Sequence, residues 1–198
     1  MSEKKKTILY IDGENLKFYL KSVLKSKAIA EPYLLEQLDY QKLFSSALKG
    51  FKISEKRFYS ARLREQSGFL TKSRELIQKQ RALKSRLENQ GFIFVISGNV
   101  RKQQFFVNGK SKVIFKEKGV DVKIAVDLVA EACDKKIDTI ILCSSDSDLQ
   151  PAVYEVKRRG IKVIYLGFEI CPNKGLIYTV NRAILLRNSE VIEAYNLK

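Results

Sequence analysis

Thr139-Ile140-Ile141-Leu142-Cys143-Ser144-Ser145-Asp146-Ser147-Asp148 carries an apolar run directly into a polar, acidic one. Its first five residues are apolar or β-branched and read as a buried parallel strand. The strand runs out into two carboxylates spaced Asp-x-Asp. A second strand, Thr7-Ile8-Leu9-Tyr10-Ile11, ends the same way in Asp12. In an open α/β sheet the carboxyl ends of parallel strands line one crevice, and ligands bind there. Asp12, Asp146 and Asp148 are therefore expected in one cleft. Packed carboxylates repel and hold protons more tightly unless a cation neutralises them. The expected cation is Mg²⁺ or Mn²⁺.

The rest of the chain is strongly basic. Lys and Arg number 37 against 22 Asp and Glu, a formal charge of +15, which favours a polyanion such as nucleic acid as the partner. A basic surface without such a role is the plain alternative. Histidine is absent, which excludes Ser-His-Asp and Cys-His sites, His-based ribonuclease chemistry and His metal ligands. Proton transfer near neutral pH is left to carboxylates, Lys, Tyr or metal-bound water. Oxygen ligands without His or Cys suit hard cations rather than zinc. Cys133, Cys143 and Cys171 match no zinc spacing, and three scattered cysteines read as reduced thiols in a cytoplasmic protein. The apolar stretch after Lys6 is too short for a signal peptide, and no segment is long enough to span a membrane.

Strands alternate with helices along the chain, which predicts an α/β fold with a mainly parallel central sheet. A helix is expected from Glu14 to about Lys27, a short one from Tyr40 to Leu48, and a long basic one from about Thr71 to Asn89. Strands are expected at Arg57 to Ala61 and Phe92 to Ile96. Asn108-Gly109 between Gln104–Val107 and Lys112–Phe115 is a hairpin signal. A helix from about Asp121 to Asp134 leads into the strand ending at Cys143. Pro151 in a first turn and Lys157-Arg158-Arg159-Gly160 at a last turn frame the next helix. A strand at Ile161 to Leu166, a helix near Lys174 to Val180, a strand at Ala183 to Leu186 and a final helix complete the pattern. No repeat or linker interrupts it, so residues 1–198 read as a single domain, with a basic tail at 1–6 and a hairpin at about 100–117.

Asp146-Ser147-Asp148 is not a calcium loop, because Pro151 stands where an EF-hand needs Gly and Lys157 where it needs Glu. Helix capping accounts for Asp148 alone. In Asp12-Gly13-Glu14-Asn15, Asn15 lies one helical turn on and can point back to the same pocket; the plain alternative is a first-turn polar residue without a role. In Lys118-Gly119-Val120-Asp121-Val122-Lys123-Ile124-Ala125-Val126-Asp127, two acids are six residues apart. At about 100° per residue they fall on different helix faces, so a regular helix cannot offer both to one ion. Asp121, in the entering turn, is the better ligand. Asp127 is either an acid standing behind the ligands or a helix-edge charge.

These three motifs, in this order, resemble the NYN domain of the PIN-like nuclease superfamily, over about Thr7 to Leu186. The resemblance implies a three-layer α/β/α, PIN-like fold and a metal-dependent ribonuclease. It assigns Asp12, Asp121, Asp146 and Asp148 as catalytic acids and metal ligands, with Asn15 and Ser145 in support; Asp127 and Lys118, from the same stretch as Asp121, are further supporting candidates. The chain departs from the usual pattern where Ser-Gly-Asp commonly precedes the last acid and Phe follows it; here Ser145-Asp146-Ser147-Asp148-Leu149 stands. The departures touch pocket shape and spare the acids. A toprim-like nucleotidyl site also uses Asp-x-Asp at a strand end, but it wants Glu where Asp12 stands. Hydrolysis of this kind leaves a 5′-phosphate and a 3′-hydroxyl. A non-catalytic RNA-binding or scaffold module of the same fold is the competing class.

Single-stranded or structured RNA is the expected partner. Its candidate contacts are Lys72, Arg74, Lys79, Arg81, Lys84 and Arg86 on the long helix, and Arg101, Lys102 and Lys112 at the hairpin. Phe105 and Phe106 alternate across that hairpin, so one of them is a candidate for base stacking. No membrane contact is expected. A homo-oligomer is left open, with no residue pattern arguing for it.

Overall fold

The computed structural model describes residues 6–29, 37–107, 110–135 and 137–195, with 104–107 and 110–112 as backbone only. Its elements are β1 (Lys6–Asp12), α1 (Gly13–Ser26), α2 (Tyr40–Ala47), β2 (Glu55–Arg62), α3 (Leu70–Asn89), β3 (Ile93–Val107), β4 (Lys110–Lys118), α4 (Val120–Cys133), β5 (Ile137–Cys143), α5 (Gln150–Arg158), β6 (Lys162–Phe168), α6 (Lys174–Thr179), β7 (Arg182–Leu186) and α7 (Asn188–Ala194). A 3-10 turn, Ser147–Leu149, joins β5 to α5.

The seven strands form one sheet in the order β4-β3-β2-β1-β5-β6-β7. Every pair is parallel except β3 with β4. Alternation along β1 shows how the layers form. Leu9 and Ile11 pack with Leu16, Tyr19, Leu20 and Val23 of α1, in a core shared with α2, α3 and α7. Ile8 and Tyr10 face the other way, toward Ile124 and Leu128 of α4, in a core shared with α5 and α6. Strands buried on both faces read as apolar runs for this reason. The result is the expected α/β/α, PIN-like sandwich.

The chain leaves β1 toward β2 and β3 on one side, while β5, β6 and β7 extend on the other. The strand order thus reverses between β1 and β5, where an open sheet forms its crevice. Register places Ile11 opposite Cys143, so Asp12 and the Ser144–Asp148 loop leave the sheet at the same level. Gly13 permits the close crossing of α1 over β2, since a Cβ there would stand 2.5 Å from the Phe58 ring and 2.6 Å from the Tyr59 carbonyl.

Two strands expected separately are one. β3 runs for 15 residues, from the buried Phe94 region into the hairpin. Residues 1–5 of the basic tail at 1–6 and the Asn108-Gly109 turn lie outside the described residues, as do the side chains of Phe105, Phe106 and Lys112, while Lys6 opens β1.

Candidate metal centre and nucleic-acid surface

Asp12 is the last residue of β1, only 8% exposed, and caps α1. Its carboxylate accepts the Asn15 N–H at 3.0 Å and the Ser144 hydroxyl at 3.2 Å. Burial pushes its carboxyl above the usual range; those two hydrogen bonds pull it down, and the charges of Asp146 and Glu14 push it up again. Ser144 Oγ also accepts the Asp146 N–H at 3.2 Å, so one hydroxyl ties both strand ends together. Asp146 Oδ1 accepts the Asp148 N–H at 2.9 Å and starts the 3-10 turn.

Asp121 arrives from the other side of the cleft. Gly119, at φ +86°, takes the left-handed turn that ends β4 and opens α4, and Asp121 sits in the first turn. One carboxylate oxygen each from Asp121, Asp146 and Asp148 lie within 4.8 Å of one another. None of the ion pairs among the described residues includes any of these three, or Asp12. In a chain of charge +15, Asp12, Asp121, Asp146 and Asp148 thus stand outside every ion pair among the described residues. Helix-start dipoles offset part of the repulsion. A hard divalent cation could neutralise the rest, and an all-carboxylate donor set is of the kind that holds Mg²⁺ or Mn²⁺.

A family model described as the NYN domain matches residues 6–186 of this sequence. The chain belongs to the NYN domain family. It is a PIN-like family, generally of nucleases, whose domains act on RNA. An uncharacterized protein of Methanocaldococcus jannaschii is 44% identical over 50 residues, which are 25% of this chain and 21% of that protein. The match therefore spans about a fifth of that relative's length. A crystal structure of a protein of unknown function from Vibrio parahaemolyticus superposes with a TM-score of 0.56 at 18% identity, covering 94% of this chain and 95% of that one. It shares the fold.

Around the acids of this NYN domain, two polar side chains hold the loop after β5. Asn15 Oδ1 accepts the Ser145 N–H at 2.9 Å. From the opposite side, Asn173 Nδ2 donates to the Ser145 carbonyl at 2.9 Å, while its own Oδ1 caps α6 through Leu176 N–H. The Tyr165 hydroxyl lies 2.7 Å from Ser145 Oγ and accepts the Asn173 N–H at 3.1 Å. Asn15 and Ser145 belong to the acid motifs of the sequence; Tyr165 and Asn173 lie outside them. The available signal was Pro172-Asn173 before an apolar turn, a helix-cap pattern.

Glu117 of β4 is a further acid near the cleft, with no motif of its own in the sequence. Its carboxylate accepts the Ala61 N–H at 3.0 Å. Burial pushes its carboxyl up to about 7, with the charges of Glu14 and Asp12 adding to the rise and Lys17 opposing it. Between Lys116 and Lys118 it reads as an ordinary surface charge.

Asp127 lies outside the triad. It accepts the Tyr59 hydroxyl at 2.8 Å and pairs with Lys123 at 2.5 Å, under β2. Lys118 is exposed at the end of β4, opposite Asn99.

The basic residues divide by what they touch. Arg74 pairs with Glu65, Lys79 with Glu75 and Lys84 with Glu88. Arg86 donates to the Leu38 carbonyl at 3.3 Å, which ties α3 to the segment before α2. Arg81 and Arg101 are exposed. Lys72 and Lys102 lie over aromatic rings, at 5.6 Å from Phe115 and 4.9 Å from Phe69. Lys112 is opposite Phe105 in the β3–β4 register. No helix among the described residues is long and apolar enough to cross a membrane.

Proposed function

We propose that this NYN domain is a metal-dependent ribonuclease that hydrolyses RNA phosphodiester bonds. The observation that carries the reading is the Asp121–Asp146–Asp148 triad, convergent within 4.8 Å and outside every ion pair among the described residues. Asp12 completes the acid set beside Asp146, to which its charge is coupled. A bound Mg²⁺ or Mn²⁺ would supply an activated water and neutralise charge on the leaving oxygen. The chain's own part is to position. Asp121, Asp146 and Asp148 offer the ligand oxygens, Ser144 holds the angle between Asp12 and Asp146, and Asn15 fixes the Ser145 backbone. Lys118, at the rim of β4, is assigned to phosphate attraction.

The surrounding positive field draws in RNA and adds little base information. Residues 1–198 act in this reading as one domain of a cytoplasmic protein.

Purified protein incubated with varied single-stranded RNAs tests the proposal. Cleavage with Mg²⁺ or Mn²⁺, leaving 5′-phosphates and silenced by EDTA, is expected. Undiminished cleavage in EDTA would sink the metal mechanism. Binding without cleavage under either ion would establish a non-catalytic RNA-binding or scaffold module instead.

A further inference from the structure

We propose that Phe69 and Phe115, with Lys72 and Lys102, form a subsite that grips an unpaired stretch of RNA beside the acid cluster. The inference rests on the reading of that cluster as an RNA site. The two rings meet edge to face, with centroids 5.9 Å apart and planes at 87°. Each carries a lysine: Lys102 Nζ lies over Phe69 and Lys72 Nζ over Phe115. Neither lysine joins an ion pair among the described residues, so both remain available to phosphate. Both rings are half-buried, and a cation over a ring at the surface is held by only about 0.5–1 kcal/mol, little enough for a phosphate to draw it away.

The platform is held in place. Ser73, 3% exposed, accepts the Gln66 N–H at 3.2 Å and donates to the Phe69 carbonyl at 2.9 Å. The Ser73 N–H donates to the same carbonyl at 2.9 Å. Arg74 and Glu65 close the turn from outside. Phe69 is therefore pinned against β4 by α3's first turn.

Its position gives it a use. Phe115 and Glu117 alternate on β4, so they share a face about 7 Å apart. Lys102 is opposite Phe115, and Val100 is opposite Glu117. The Glu117 carboxylate in turn feels Asp12 and Glu14 at the cleft. RNA held at the acids thus has its neighbouring nucleotides over this cluster. Aromatic faces beside cations stack unpaired bases and bind their phosphates without sequence preference. A duplex hides its bases within its own stack and has none to offer.

The test measures binding, without metal, on the full chain carrying Asp146→Asn. The ligands are a 12-residue single-stranded RNA, the same backbone lacking bases, and a duplex. Joint Phe69→Leu and Phe115→Leu substitution should weaken the base-bearing strand about tenfold and leave the abasic strand and the duplex unchanged. Joint Lys72→Gln and Lys102→Gln substitution should weaken both single strands and flatten the log-log salt slope by about 0.7 per lysine. The sequence contains no tryptophan, so Phe69→Trp supplies a single indole, excitable apart from the nine tyrosines, that keeps an aromatic ring at the site. Its emission should be quenched by the base-bearing strand and not by the abasic one. Equal losses on the two single strands, or quenching by neither, would overturn the subsite. Base-dependent binding in a protein that cleaves no RNA would sink the nuclease reading and leave the subsite standing. Cleavage with base-independent binding would do the reverse.

Discussion

The Asn15 side-chain carbonyl accepts the Ser145 backbone N–H at 2.9 Å, joining the first turn of α1 to the loop after β5. The two residues are 130 positions apart in the chain and meet only where the strand order reverses. Asp12 precedes the one and Asp146 follows the other, so this bond sets the distance between two acids.

Asn15→Ala leaves the Ser145 N–H without its partner and should cost about 1 kcal/mol of stability. Cleavage should fall at least tenfold, more than that loss of stability explains, and the divalent ion needed for half-maximal rate should rise. Asn15→Asp keeps an acceptor and should hold the loop once metal is bound. Melting temperatures with and without Mn²⁺, set beside metal titrations of the rate, check both. Full activity of Asn15→Ala would remove Asn15 from the positioning role.

Asp146→Asn takes one charge out of the triad. Cleavage should be lost, while the melting temperature without metal stays level or rises, because repulsion is relieved. The wild-type protein should gain about 2.7 kcal/mol when the ion reaches a hundredfold excess over its dissociation constant. The variant should lose most of that gain. Thermal melts across a Mg²⁺ series separate these outcomes, and a variant that still cleaves would reduce Asp146 to a turn cap.

Glu117 predicts a pH dependence with a defined sign. Its carboxyl stands at about 7 in the folded protein against an ordinary value of 4.5. Between those values the folded state binds more protons than the unfolded state, so this group makes stability fall as pH rises from about 4.5 to 7. The contribution is on the order of 2 kcal/mol, since Glu117 retains some solvent contact. Glu117→Gln keeps the acceptor for the Ala61 N–H and should flatten the curve there, gaining on the native protein toward pH 7. Urea midpoints of the two proteins across pH 4.5 to 8 decide it; parallel curves would show that Glu117 ionises freely.

Asp127 is predicted to stabilise α4 rather than to serve the acid site. Asp127→Asn retains an acceptor for the Tyr59 hydroxyl and should leave the cleavage rate within about twofold. Asp127→Ala strands that hydroxyl and should cost about 1–3 kcal/mol. Activity at saturating metal and chemical denaturation are the two readouts. A folded Asp127→Asn protein that no longer cleaves would bring this residue into the reaction.

The layers and the meeting of Asp121, Asp146 and Asp148 were legible because their causes are local. Apolar runs at Thr7–Ile11 and Thr139–Cys143 declare strands buried on both faces, and parallel strands carry whatever follows them to one edge of the sheet. The six-residue spacing already separated Asp121 from Asp127. Glu117 was hidden by its lysine neighbours, because its role depends on β4 pairing with β3 and on its reach to the Ala61 N–H. Asn173 and Tyr165 reach Ser145 only through the packing of α6 and β6 beside β5. The basic residues of α3 looked alike in sequence, yet Arg86 ties down a carbonyl, Arg74 closes a turn and Lys72 lies on a ring. Periodicity and capping fix which face a residue belongs to; its distant partner follows from strand order, register and the irregular step in β2–β3 pairing between Ser60 and Arg62, which only the assembled sheet decides.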